Sequence, residues 1–189
     1  MELDPIRRER ILAAAAKLIV ANGLQCSMAA VAEEAGVATG SIYNYFKSKD
    51  DMIRGVYAQL ADVICGRLIP EADSPDDAKA RIFRYIFDYI DFIWEDRERA
   101  MLFEYLSSVP LISMQELSQT FATINRYSLG LMAGGQHAGL LADIPPATLA
   151  GYIGGGIRNT LKWRRADPDP LTANEREELA LMSWKAIAK

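Results

Sequence analysis

Apolar residues recur at intervals of three and four along almost the whole chain, and no stretch alternates apolar with polar as a half-buried strand would. Asp4-Pro5 announces the first helix as an N-cap with proline at the first helical position. Ile11, Ala15, Leu18 and Ile19 form its apolar stripe, and Gly23 ends it. Ser27 caps a second helix that stops at Gly36, and a short third helix is predicted over about 38–45. Ser48, with Asp51 three residues on, opens a long fourth helix bearing Met52, Ile53, Val56, Tyr57, Leu60, Val63 and Ile64. The stretch 70–77 is the clearest break, and Ser74-Pro75 within it predicts the start of a fifth helix. That helix has a broad face of Ile82, Phe83, Ile86, Phe87, Ile90, Ile93 and Trp94, with Tyr85, Tyr89 and Phe92 on its flanks. An apolar surface so wide implies neighbours on several sides. A sixth helix is predicted over 97–108, closed by Pro110. A seventh runs from a capping box of Ser113 and Glu116 and fades through Gly134, Gly135 and Gly139. An eighth opens at Pro145-Pro146 and runs to Ala166, and a ninth is capped by Thr172 with Glu175. The prediction is an all-α protein of about nine helices, with an N-terminal three-helix head (residues 4–64) and a larger helical body (65–189).

Composition narrows the classes. The chain has 189 residues and is 50% hydrophobic, enough for a substantial core. No apolar run reaches the roughly 18 residues of a membrane span, and the N-terminal residues lack the apolar stretch of a signal peptide, so a cytoplasmic location is expected. Cys26 and Cys65 make no metal-binding or disulfide pattern, His137 is the sole histidine, and Gly154-Gly155-Gly156 lacks the lysine of a phosphate-binding loop. No enzymatic constellation and no cofactor are expected. Net charge is −4, but residues 1–55 are neutral, with seven basic and seven acidic groups. The acidic excess belongs to the body, and a neutral head can still meet DNA if its basic groups share one side.

The stretch 28–46, MAAVAEEAGVATGSIYNYF, carries the chemistry. Val31, Ala35, Val37 and Ile42 fall where two helices meeting at a sharp turn need inward-facing residues. Ala32 is small where the second helix approaches, and Gly36 sits where a positive φ is expected. This is a helix-turn-helix, whose second helix offers its outer face to the major groove. That face contains Thr39, Gly40, Ser41 and Asn44, small or hydrogen-bonding groups suited to close approach to base edges. Tyr43 and Tyr45 supply hydroxyls for phosphates, and Ile42 and Phe46 anchor the short helix. Lys49 and the helix start beside it suit a phosphate, as does Ser27 at the second helix. Arg7, Arg8 and Arg10 are candidates for the flanking backbone or minor groove. From spacing alone, a helix-turn-helix serving only as a packing unit, or an all-α protein-interaction module without DNA binding, stands beside this reading.

The run ILAAAAKLIVANGLQCSMAAVAEEAGVATGSIYNYFKSKDDMI resembles the TetR/AcrR family of bacterial transcriptional regulators. It shows the order A-A-x-x-L, a glycine-ended first helix, a Ser-capped second, A-G-V, then G-x-I-Y-x-Y-F-x-S-K. It departs from the pattern at Thr39, where lysine is frequent, and at Cys26, where threonine is frequent, in a loop that looks one residue short. The resemblance implies a DNA-binding repressor that meets a palindromic operator in double-stranded DNA as a homodimer. It also implies an architecture for the body, a domain that joins two subunits and binds a small effector. The last two predicted helices are the dimer candidates, through Leu149, Gly151, Ile153, Gly155, Ile157, Leu161, Leu179, Met182 and Ala186, with Ile187 continuing the last stripe. The aromatic excess of the body suggests a pocket for an apolar or aromatic effector, lined by Phe83, Phe87, Ile90, Trp94, Phe103, Phe121, Tyr127 and Tyr152. Asn125, Gln136, His137 and Asn159 are candidate polar contacts. Asp88, Asp91 and Glu104 would favour a cationic group if they point inward. Release would follow from an effector preference of about 10⁴-fold for a state in which the fourth helix swings the heads apart.

Overall fold

The computed structural model of the chain describes residues 4–71, 77–109 and 111–189. Among them ten α-helices form: α1 (Pro5–Asn22), α2 (Met28–Glu34), α3 (Thr39–Ile42), α4 (Lys49–Leu68), α5 (Ala78–Glu95), α6 (Arg97–Ser108), α7 (Met114–Thr120), α8 (Ala122–His137), α9 (Pro146–Arg164) and α10 (Ala173–Ile187). A single 3₁₀ turn covers Gly23–Gln25, and the only extended pairing among the described residues is an isolated bridge between Leu141 and Ala188. The all-α expectation holds, with ten helices rather than nine. The chain forms two compact units, Met1–Val63 with Met101–Phe121 and Ile64–Ala100 with Ala122–Lys189. The boundary expected from the sequence lies at 64/65. The return of 101–121 to the N-terminal unit was not anticipated.

In the first unit the ends of the helices are set by local chemistry. The Asp4 carboxylate accepts the Ile6 N–H at 3.0 Å, and Gly23 turns the chain with φ +58°. Ser27 Oγ accepts the Ala30 N–H at 3.1 Å, and Ser48 Oγ accepts the Asp51 N–H at 3.1 Å. Ile11, Leu12, Ala15, Ile19, Val31, Ala32, Ile42, Phe46, Met52 and Val56 are buried, so α1, α2, α3 and α4 share one core. α4 meets α1 at Gly55, where a Cβ would lie 2.9 Å from Leu12 and 3.0 Å from Phe46. Residues 101–121 join this unit through aromatic and polar contacts. The Tyr57 hydroxyl donates to the Leu106 carbonyl at 3.0 Å, and the Phe121 ring stands edge-on to Tyr57 with centroids 6.5 Å apart.

Phe121 also explains the extra helix. The sequence predicts one helix from Ser113 onward, and the structure divides it into α7 and α8. Phe121 leaves helical geometry (φ −96°, ψ 12°) while its ring packs beside Tyr57 and Phe103. The capping box of Ser113 and Glu116 is present as expected.

In the second unit α5 is packed by α8, α9 and α10. Ile82, Ile86, Ile90 and Ile93 are buried, as the pattern requires. The flanks are reversed from expectation: Tyr85, Tyr89 and Phe92 are buried, whereas Phe83, Phe87 and Trp94 are half-buried. Polar partners make the burial of two tyrosines tolerable. Arg158 Nη1 donates to the Tyr89 hydroxyl at 2.7 Å, and Tyr85 is hydrogen-bonded with the Ser128 side chain. Phe83 instead stacks on Trp184 of α10 at 5.1 Å, and the Arg176 guanidinium sits 4.4 Å over Phe87. The N-cap of α5 is Asp77, whose carboxylate accepts the Ala80 N–H at 2.8 Å. Ser74, Pro75 and Pro110 lie outside the described residues. The capping box of Thr172 and Glu175 opens α10 as predicted. Among the described residues no helix is long and apolar enough to cross a membrane, and no group of three or more His, Cys, Asp or Glu could hold a metal ion.

Candidate nucleic-acid interface

The site is built on a turn of four residues. α2 ends as the Ala35 N–H bonds to the Val31 carbonyl and the Gly36 N–H to the Glu33 carbonyl at 3.0 Å. Gly36 then takes φ +64°, the left-handed conformation expected of it and costly for any residue with a Cβ. The Val37 N–H reaches back to the Ala32 carbonyl at 2.9 Å, and α3 starts two residues later. α3 is a single helical turn, shorter than the predicted 38–45, and Tyr43 to Tyr45 continue it as a turn. Ile42 is 0% exposed and Phe46 2%, so the element is held from beneath at both ends.

The opposite face is open. Thr39, Gly40 and Asn44 are exposed, Tyr43 is 52% exposed, and Ser41 and Tyr45 are half-buried. A Cβ on Gly40 would meet nothing within 4 Å, so the backbone of α3 is bare on its outer side. Ser27 is exposed at the start of α2, and Lys49 is half-buried at the start of α4. A helix start presents N–H groups without helical partners, which suit anions. The eight candidate DNA contacts thus fall on α3, the turn after it and two helix starts of one unit.

The N-terminal arginines have roles that the sequence did not reveal. Arg10 Nη2 donates to the Ala35 carbonyl at 2.6 Å, and the Arg8 guanidinium lies 5.3 Å over the Phe46 ring. All three arginines are exposed, Arg7 in the first turn of α1. Arg54 Nε reaches Glu116 Oε1 at 2.8 Å. That hydrogen bond, helped by the Ser113 hydroxyl and N–H, holds the Glu116 carboxyl down at about 2.

The candidates for the body separate into groups. Phe83, Phe87, Ile90, Trp94 and Tyr127 belong to the second unit, whereas Phe103 and Phe121 belong to the first, 6.4 Å from one another. Tyr152 points outward and is 66% exposed. Asp91 is held by Arg176 through two hydrogen bonds of 2.6 Å, and burial pushes the Asp88 carboxyl above its ordinary range. Glu104 is half-buried in the first unit. Gln136 donates to the carbonyls of Ala142 and Ile144, and Asn125, His137 and Asn159 are exposed. Of the dimer candidates, Leu149, Ile153, Ile157, Leu161 and Leu179 are buried inside their own unit, as is Ile187. Gly151, Met182 and Ala186 are exposed, and Gly155 is half-buried. The outer surfaces of α9 and α10 instead show Tyr152, Trp163 (69% exposed), Leu181 and Met182 (66% exposed).

Residues 11–56 match the family described as bacterial regulatory proteins, tetR family. Over 89 residues the chain is 32% identical to the HTH-type transcriptional repressor KstR2 of Mycolicibacterium smegmatis, covering 45% of this chain and 43% of that protein. Over 94 residues it is 28% identical to the fatty acid metabolism regulator protein of Bacillus subtilis, covering 49% and 48%. The matched stretches thus span less than half the length of these curated relatives. The fold is shared throughout. A TetR-family transcriptional regulator from Haemophilus influenzae superposes with a TM-score of 0.80 at 24% identity, over 97% of each chain. Residues 11–56 thus match the tetR family of bacterial regulatory proteins in sequence, and the chain shares the fold of TetR-family regulators along its length.

Proposed function

We propose that the chain is a transcriptional repressor that binds duplex operator DNA as a homodimer and releases it when a small apolar or aromatic molecule occupies the second unit. The observation that carries the DNA-binding reading is the one-sidedness of residues 39–46. Ile42 and Phe46 are buried, while Thr39, Gly40, Tyr43 and Asn44 stand outward on a backbone with no side chain over Gly40. A packing unit has no need of such a bare, polar, close-approach surface. A groove reader does, because its contacts to base edges need the helix backbone near the DNA. KstR2 of Mycolicibacterium smegmatis is named a repressor, which supports the same sign of control here.

The homodimer reading rests on the exposed Tyr152, Trp163, Leu181 and Met182 of α9 and α10. Aromatic residues and methionine are enriched at interfaces between chains. Two heads would double the phosphate contacts that a neutral head supplies sparsely. The effector reading rests on the aromatic side chains of α5, with Phe83, Phe87, Ile90, Trp94 and Tyr127 as the candidates left together in one unit. The fatty acid metabolism regulator of Bacillus subtilis lends support to an apolar effector class. Relatives of the chain are regulators, and no catalytic role is assigned to it.

The test is selection of duplexes from a random-sequence library on the purified protein, followed by titration at several salt concentrations. Enrichment of a palindrome, with affinity falling steeply as salt rises, is the expected result. A protein that retains no duplex at low ionic strength would instead be an all-α interaction module.

A further inference from the structure

We propose that Arg10, on α1, is the positioning residue of the recognition element, setting α3 through the turn rather than touching DNA; this rests on the DNA-binding reading above. A basic residue at the edge of a DNA-binding head invites assignment to a phosphate. The geometry points elsewhere. Arg10 Nη2 donates to the Ala35 carbonyl at 2.6 Å, across 25 residues of sequence. Ala35 is the C-cap of α2, still with right-handed backbone, and the peptide it shares with Gly36 is where the chain departs for α3.

The carbonyls at the end of α2 explain why a guanidinium sits there. The last four carbonyls of a helix have no helical partner. Here the Ala32 and Glu33 carbonyls are met by the N–H groups of Val37 and Gly36. The Ala35 carbonyl takes its bond from Arg10. A cation also suits the negative end of the helix dipole. The fit is close: a Cβ on Gly36 would lie 3.1 Å from Arg10 Nη2. The Ala35–Gly36 peptide is therefore fixed both by a glycine-only φ and by a charged donor from another helix. Rotation of that peptide would re-aim Thr39, Gly40, Tyr43 and Asn44 together. A second tie between α1 and the end of α2, Lys17 to Glu34 at 2.6 Å, is exposed on both sides and contributes little by comparison.

The experiment compares wild type with Arg10→Ala on two probes: a duplex selected on the wild-type protein from a random library, and a random-sequence duplex of equal length. Positioning predicts that Arg10→Ala binds the selected duplex about tenfold or more weakly, the effect of losing one charged hydrogen bond. Binding to the random duplex and the slope of log affinity against log salt stay at wild-type values. A phosphate contact would instead weaken both duplexes together and make the slope shallower by about 0.9; that result, or unchanged binding of the selected duplex, overturns the proposal. Amide hydrogen exchange supplies a readout independent of DNA: Gly36 and Val37 exchange faster in the variant while Val56 and Tyr57 in α4 do not. Unchanged exchange at the turn also overturns it. Should Arg10→Ala fail to fold, Arg10→Gln carries the same expectations. Wild-type protein that binds neither duplex defeats the DNA-binding reading, and the exchange measurement still decides whether Arg10 sets the turn.

Discussion

Arg176 of α10 holds Asp91 of α5 with both prongs of its guanidinium, Nε to Oδ1 and Nη2 to Oδ2, each at 2.6 Å. The same carboxylate lies 3.9 Å from Arg67, near the end of α4, and Arg67 also pairs with Glu95 at 3.0 Å. Residues of three helices thus meet at one carboxylate. Asp91→Asn is expected to lower unfolding stability by about 1–2 kcal/mol, a charged bidentate pair discounted for its partial exposure. Urea denaturation at low salt measures it. The gap from wild type should narrow at 1 M salt, where the screening length falls to about 3 Å.

Two half-buried glutamates should make stability depend on pH in acid. Hydrogen bonds from Arg164, then from Thr172, hold the Glu175 carboxyl at about 2, and Arg54 with Ser113 does the same for Glu116, against an ordinary value of 4.5. Both groups are depressed in the folded chain, so their contribution is whole above about 4.5 and fades as pH falls toward 2. The midpoint of urea unfolding should drop between pH 5 and pH 3. In Glu175→Gln the drop should be smaller, because one of the two carboxylates no longer takes up a proton on unfolding.

Gly36 and Gly40, alike to sequence reasoning, are expected to behave in opposite ways. Gly36→Ala places a Cβ in left-handed backbone and 3.1 Å from Arg10, and should cost about 1–2 kcal/mol. Gly40→Ala meets nothing within 4 Å and gains helix propensity, so stability should hold or rise by up to about 1 kcal/mol. Both should weaken binding to the selected duplex, Gly36→Ala by misplacing α3 and Gly40→Ala by filling the space that the DNA would occupy. Thermal melts beside duplex titrations separate the two causes.

Tyr43 and Lys49 are expected to differ in salt response. A tyrosine hydroxyl binds a phosphate without displacing a counterion, so Tyr43→Phe should lower affinity at an unchanged salt slope. Lys49→Ala should lower affinity and flatten the slope by about 0.9. Neither should alter folding stability by more than about 0.5 kcal/mol, since Tyr43 is exposed and Lys49 sits at a helix start.

What could be read from the sequence was what neighbouring residues decide. The caps at Asp4, Ser27, Ser113 and Thr172 need only a few adjacent residues, and all four are present. Gly36 was legible because only its backbone had to be guessed, and Ile42 and Phe46 because the head is small and has one core. Contacts across long stretches of chain were not legible. Arg10 is committed to Ala35 and Arg8 to Phe46, although both look like surface charge. Periodicity put Phe83, Phe87 and Trp94 inward and Tyr85 and Tyr89 on the flank. Arg158 at Tyr89 and Arg176 at Phe87 decide otherwise. Phe121 broke a helix that its own neighbours would have continued, because its ring packs beside Tyr57.

The faces of α9 give the proposed dimer its sharpest test. Ile157 and Tyr152 belong to the same helix, yet Ile157 is 0% exposed and Tyr152 is 66% exposed. A charge at Ile157 would enter the core beside α5, so Ile157→Asp should unfold the second unit, whatever the oligomeric state. A charge at Tyr152 stays in water in a lone chain and is buried only if a second copy covers that face. Tyr152→Asp combined with Met182→Glu, which is also exposed, should therefore leave helical content intact and shift the sedimentation mass from two chains to one. Duplex binding should weaken with it, because each head would then hold the DNA alone. A double variant that sediments as the wild type does would place the partner's contact elsewhere on the chain.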